Sequence, residues 1–104
     1  MPDELRSLLI DSLHWWMALL SEAEDRPAAG ADDAVFGACR VLVRHRYGRW
    51  LSKVDAGRQL LSAGYRPVAV IEQSIAARSG EPPPSGRQAR AFQEAVLKEI
   101  LTAT

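Results

Sequence analysis

Apolar residues in this chain recur three and four positions apart, the spacing that lines one face of an α-helix, and strict every-second-residue alternation is almost missing. Leu5, Leu9, Leu13, Trp16, Leu20 and Ala23 form the first such stripe. Leu8 and Leu19 widen it on one side, and Ile10 and Met17 on the other. The pattern predicts a helix from Asp3, a suitable N-cap, to about Glu24. Trp15 points away from Met17, so no single neighbour covers the whole surface. Such a helix is either central to its own domain or shared with a second copy of the chain.

Pro27 and Gly30 punctuate residues 26–33, which read as a loop, and Asp32 or Asp33 caps a second helix running from about Asp33 to Arg46. Val35, Phe36, Cys39, Leu42 and Val43 share its face, with Arg40, Arg44 and Tyr47 together on the flank. One more turn carries Arg46 onto the apolar side. Burying an unpaired guanidinium costs several kcal/mol, more than the ~1.5–3 kcal/mol gained from a neighbouring buried Leu or Val. The helix therefore ends near Arg46, or Arg46 finds a carboxylate or snorkels outward. Gly48 supplies a left-handed cap.

Ser52-x-x-Asp55 resembles a capping box and opens a third helix to about Ala63, with Val54, Leu60 and Leu61 inward. Gly64 ends it, Tyr65 and Arg66 make a tight turn, and Pro67 opens a fourth helix to Ser79 that buries Val68, Ile71 and Ile75. Gly80 stops that helix. The stretch GEPPPSG is a stiff polyproline-type spacer, conceivable also as a ligand for a proline-recognising domain. Ser85-x-x-Gln88 is a fuller capping box for a fifth helix to about Ala103. There Phe92, Val96 and Ile100 lie on one side with Ala89 and Ala103, Leu97 and Leu101 lie on another, and Glu94 pairs with Lys98. The fold class that follows is all-α: a single compact domain, residues 1–104, of about five helices. A helical hairpin, a candidate helix-turn-helix, occupies the middle.

At 104 residues the chain is long enough for one core without a disulfide or metal. Its one cysteine has no internal partner and lies on a buried stripe, which points to a reduced, cytoplasmic protein. No basic leader precedes an apolar run, and the apolar run from Leu13 to Leu20 is too short to span a bilayer, so no membrane role is expected.

Charge changes this picture more than composition does. The net charge is zero, but residues 1–33 hold eight acids against two bases, and residues 34–66 hold seven bases against Asp55 alone. Arg40, Arg44, Arg46, Arg49, Lys53, Arg58 and Arg66 are those seven. One reading is that they compensate the dipole at a solvated helix end. The other is an anion-binding face on which Tyr47 and Trp50 stack. The acidic first segment either leaves that face open or folds over it.

A search for chemistry finds none. His14 and His45 are far apart, Cys39 is alone, and no paired His or Cys spacing exists, so neither a metal nor a cofactor is expected. Cys39 faces the core, where a thiol is inert. Glycine-rich phosphate loops are missing. Glu22, Glu24 and Asp25 read as solvated. The chain is thus expected to be no enzyme. Within the candidate helix-turn-helix, the second helix offers Ala69, Val70, Glu72, Gln73 and Ser74. Only Gln73 among them is a typical base reader, and ordinary hairpin packing explains the motif as well.

The order Asp32-Asp33-x-x-Phe36, a helix, then Leu60-Leu61-x-x-Gly64-Tyr65 resembles the three-helix repeat of the recombinase-regulating RecX proteins. It spans under half the chain, and no residue role is carried over from it.

Two expectations follow. One is a regulatory, DNA-binding protein that docks nucleic acid by its backbone through Arg40, Arg44, Arg46, Tyr47, Arg49, Lys53, Arg58 and Arg66. The other is a protein–protein module, a homodimer, adaptor or inhibitor, using Ile10, Trp15, Trp16 and Met17 on the first helix.

Overall fold

The computed structural model describes residues 3–18 and 26–102. Five helices follow one another: α1 (Asp3–Ala18), α2 (Ala31–Tyr47), α3 (Lys53–Ser62), α4 (Val68–Ala77) and α5 (Gly86–Thr102). The architecture is all-α, with α3 and α4 forming the hairpin in the middle. Its radius of gyration is 12.8 Å, close to the ~13 Å of a compact chain of this length.

The central element is α2. It packs against all four other helices, whereas α1 meets only α2 and α5. Ten of its residues are buried, including Val35, Phe36, Ala38, Cys39, Leu42 and Val43. A first helix central to its own domain is thus corrected: Leu9 and Leu13 are buried, but Leu8 is 65% exposed. Leu5, Trp15, Trp16 and Met17 contribute side chains outside the described set, and Leu19, Leu20, Glu22, Ala23, Glu24 and Asp25 lie outside the described residues, as does Ala103.

Helix ends follow local chemistry. Gly30 takes a left-handed conformation (φ 84°) and starts α2 at Ala31, two residues earlier than expected, so Asp32 and Asp33 occupy the first turn and act on the dipole without capping it. At Gly64, Tyr65 N–H reaches Leu60 O at 2.9 Å and Gly64 N–H reaches Leu61 O at 3.1 Å, the paired bonds of a Schellman end. Ser85 and Gln88 bond reciprocally, Ser85 N–H to Gln88 Oε1 at 2.9 Å and Gln88 N–H to Ser85 Oγ at 3.0 Å. This is the capping box expected before α5.

Packing differs from the stripes in two helices. On α3, Ala56, Gly57 and Leu60 are buried while Val54 and Leu61 are half-buried. The bare Cα of Gly57 permits this, because a Cβ there would lie 3.3 Å from both Ile71 Cγ2 and Phe36 Cε1. On α4 the inward residues are Val70, Ile71 and Ser74, with Val68 and Ile75 half-buried. Ser74 satisfies its buried hydroxyl by donating to Val70 O at 2.8 Å.

The proline connector is pinned along its length and is no free spacer. Pro84 is buried, its carbonyl accepts from Ala28 N–H at 3.1 Å, and Pro83 O accepts from Gln73 Nε2 at 3.3 Å. No helix among the described residues is long and apolar enough to cross a membrane.

Candidate functional site

Helical spacing sets Arg40, Arg44 and Tyr47 on one flank of α2 and turns Arg46 to the opposite side. The left-handed Gly48 (φ 72°) then reverses the chain, with its N–H bonded to Arg44 O at 3.1 Å. The returning segment is clamped by the same two arginines. Arg40 Nε donates to Leu51 O at 2.9 Å, and Arg44 Nη1 donates to Gly48 O. Ser52 closes the segment by accepting from Asp55 N–H at 3.4 Å as the cap of α3.

This clamp holds Trp50 between α2 and α3 with 53% of its surface exposed. The guanidinium carbons of Arg40 and Arg44 lie 5.8 and 5.9 Å from its ring centre, within cation–π range. Arg49 Nη2 donates to Gln59 Oε1 at 3.2 Å. Among the described residues none of these three guanidiniums has a carboxylate partner. Arg44 Nε is enclosed with no acceptor. Tyr47, at 42% exposure, stands on the same flank.

The other cations behave differently. Arg46 makes a bidentate pair with Glu99 of α5, Nε to Oε2 and Nη2 to Oε1, both at 2.7 Å, and its guanidinium sits 5.1 Å from the Tyr65 ring centre. The hydrogen bonds from Arg46 hold the Glu99 carboxyl below its ordinary value, and the same bonds raise the guanidinium further. Arg46 therefore reaches the apolar side of α2 with a carboxylate to meet it. Lys53 Nζ lies 3.2 Å from Asp33 Oδ1, an oxygen also bonded by Arg78 Nη2 at 2.8 Å. Part of the acidic first third of the chain does fold onto the bases, through Asp33. Arg58 is exposed on α3, adjacent in sequence to Gln59, and Arg66 is exposed in the turn between α3 and α4.

Of the eight residues expected to touch nucleic acid, the structure thus gathers Arg40 and Arg44 at the Trp50 ring with Arg49 next to it in the chain, sets Tyr47 within hydrogen-bond reach of Arg46, and engages Arg46 and Lys53 in internal ion pairs. Trp50, named in the sequence as a stacking residue, becomes the centre of the group. On α4 only Ala69 and Glu72 are exposed; Val70 and Ser74 are buried and Gln73 is spent on Pro83. Its outer surface therefore offers a methyl and a carboxylate, neither of which suits a base edge beside phosphate. On α1, Ile10 is half-buried against the core, and the side chains of Trp15, Trp16 and Met17 lie outside the described residues.

Cys39 is fully buried, and burial pushes its thiol up to about 12, far from the thiolate a nucleophile needs. No group of three or more His, Cys, Asp or Glu side chains suited to a metal occurs among the described residues. Sequence reasoning missed Glu99 and Gln59, partners supplied by other helices with no local signal at Arg46 or Arg49. Compared with protein-family models, curated proteins and solved structures, the chain matches none.

Proposed function

We propose that the chain is a non-catalytic binding domain that holds nucleic acid by its sugar–phosphate backbone at the corner formed by Arg40, Arg44 and Arg49 around Trp50. The observation that carries this reading is the set of three guanidiniums at one helix end with no carboxylate partner among the described residues, in a chain whose other central bases include two that are paired. Helix-dipole compensation accounts for cations in the last turn of α2. It does not account for Arg40, a turn earlier, or for Arg49 beyond the cap. Each guanidinium carries five N–H donors and gives one to the protein, Arg40 to Leu51, Arg44 to Gly48 and Arg49 to Gln59. Apart from the enclosed Arg44 Nε, the other donors can meet an anion without first breaking an ion pair to a described residue.

Three phosphate contacts imply a log–log salt slope of roughly −3 on duplex DNA. Changing Arg40, Arg44 and Arg49 together to Gln removes the charge and leaves donors for the loop. Binding of a fluorescent oligonucleotide, titrated from low to moderate salt, should weaken in this variant for every sequence alike, and its salt slope should flatten. An unchanged affinity, or no binding by the parent protein at low salt, overturns the reading.

A second reading is favoured by exposed apolar surface away from this corner. Leu8 on α1 and Leu101 on α5 are 65% and 51% exposed, and Arg6 Nη2 ties the two helices by donating to Leu101 O at 3.1 Å. A protein partner or second copy covering α1 and α5 would remove that surface from water. Sedimentation at high concentration, with Leu8→Glu as the control, tests it; a monomer throughout removes the homodimer form.

A further inference from the structure

We infer that the Trp50 corner is built for a single-stranded polynucleotide, with one unpaired base stacked on the Trp50 indole and the flanking phosphates on Arg40, Arg44 and Arg49. The inference rests on the backbone-binding reading above and adds to it what kind of strand fits. Backbone contact alone calls for cations and is indifferent to an aromatic side chain. Here an indole with 53% of its surface exposed stands among cations that have no carboxylate partner among the described residues, and several bonds hold its segment there. Gly48 caps α2 before it, Ser52 caps α3 after it, and Arg40 grips Leu51 O beside it. An indole fixed in this way loses little further freedom on binding.

A duplex could not use such a platform. Its bases are stacked and paired, and inserting a side chain between them costs a few kcal/mol per step, repaid in known cases by broad minor-groove contact. The Trp50 corner is a short turn between two helices, and α4, the neighbouring element of the hairpin, shows only Ala69 and Glu72 outward. Bases of a single strand are already free to turn outward, and every base has a face for stacking. The two guanidiniums at 5.8 and 5.9 Å from the ring centre are near enough to meet the phosphates flanking a base stacked on the exposed part of the indole. Stacking of this kind does not read the 2′-hydroxyl, so DNA and RNA strands share the chemistry.

The test uses the full chain and five labelled probes of equal length, about a dozen nucleotides, within the range such sites cover. These are oligo(dT), oligo(U), an abasic strand with the same phosphate count, and the duplexes of the first two. Oligo(dT) and oligo(U) should bind more tightly than either duplex and than the abasic strand. Trp50→Ala should weaken oligo(dT) roughly 5- to 150-fold, the range expected for one stacked base, and weaken the abasic strand by a clearly smaller factor. Trp50→Phe should recover most of the loss. A circular-dichroism melt confirms that both variants fold. A preference for oligo(dT) over oligo(U), or the reverse, assigns the strand to DNA or RNA. Equal binding of all probes, insensitive to Trp50 but lost in the three-arginine variant, refutes stacking and leaves the backbone reading standing. If no probe binds at low salt, both fall together, and a protein ligand takes their place.

Discussion

The pair between Arg46 and Glu99 sets a cation that supports the fold apart from those with no carboxylate partner among the described residues, and it can be weighed. Two bonds of 2.7 Å in a bidentate fork make it stronger than a typical exposed pair. Both side chains keep about a third of their surface in water, at 32% and 33%, so solvent screening holds the electrostatic part to roughly 0.2–1 kcal/mol. The guanidinium over Tyr65 contributes about 0.5–1 kcal/mol. Arg46→Ala should therefore cost about 1–1.5 kcal/mol, a drop in Tm of roughly 5–10 °C for a domain of this size. The pH dependence has a definite sign. Glu99 titrates below 4.5 in the folded protein, so its contribution is complete above the unfolded value and fades as pH falls through the lower folded one. Thermal melts of the parent and Arg46→Ala should differ most at pH 7, and the difference should shrink as acid protonates Glu99, down to the part carried by the Tyr65 contact. Glu99→Gln should resemble Arg46→Ala in losing the acid dependence while keeping one acceptor. Nucleic-acid affinity should change far less in Arg46→Ala than in Arg44→Gln. Identical melts at pH 7, a difference of undiminished size in acid, or a larger binding loss at Arg46 than at Arg44 would refute the division.

Gly57→Ala sets helix propensity, a gain of about 0.8–1 kcal/mol, against contacts at 3.3 Å with Ile71 and Phe36. Both neighbours are fully buried, and Phe36 is further covered by the Arg78 guanidinium at 5.0 Å, so neither yields easily. Overpacking costs of about 1–3 kcal/mol should prevail, and urea denaturation should show a lower midpoint; a higher midpoint overturns this. Cys39, with its thiol raised to about 12, should resist a thiol reagent in the folded protein at pH 8 and react fully in denaturant. Rapid labelling of the native protein contradicts the burial.

Local signals were legible in the chain and long-range ones were not. Gly48, Gly64 and Gly80 mark turns because each must adopt positive φ, a demand written in the residue itself. Ser85 and Gln88 announce α5 for the same reason, since their bonds close within four residues. The missing carboxylate at Arg46 was also legible, as a requirement of helix periodicity, but its supplier lies fifty-three positions away and no spacing rule reaches that far. Gly57 was passed over because a glycine inside a helix looks like a defect until the helix it admits is known. The proximity of Trp50 to Arg40 and Arg44 was legible because the corner is local. The pair of Lys53 with Asp33 was not, because Asp33 approaches it through the packing of α2 on α3.

Asp33 has a consequence for how this molecule tolerates change. One of its oxygens answers a cation from the start of α3 and another from just past the end of α4, so the junction of three helices is fastened with redundancy. Losing either cation leaves the carboxylate a remaining companion. Losing the carboxylate leaves Arg78 its longer pair with Asp32 at 3.9 Å but takes from Lys53 its ion-pair partner among the described residues, and Lys53 then becomes available to whatever negatively charged molecule approaches α3.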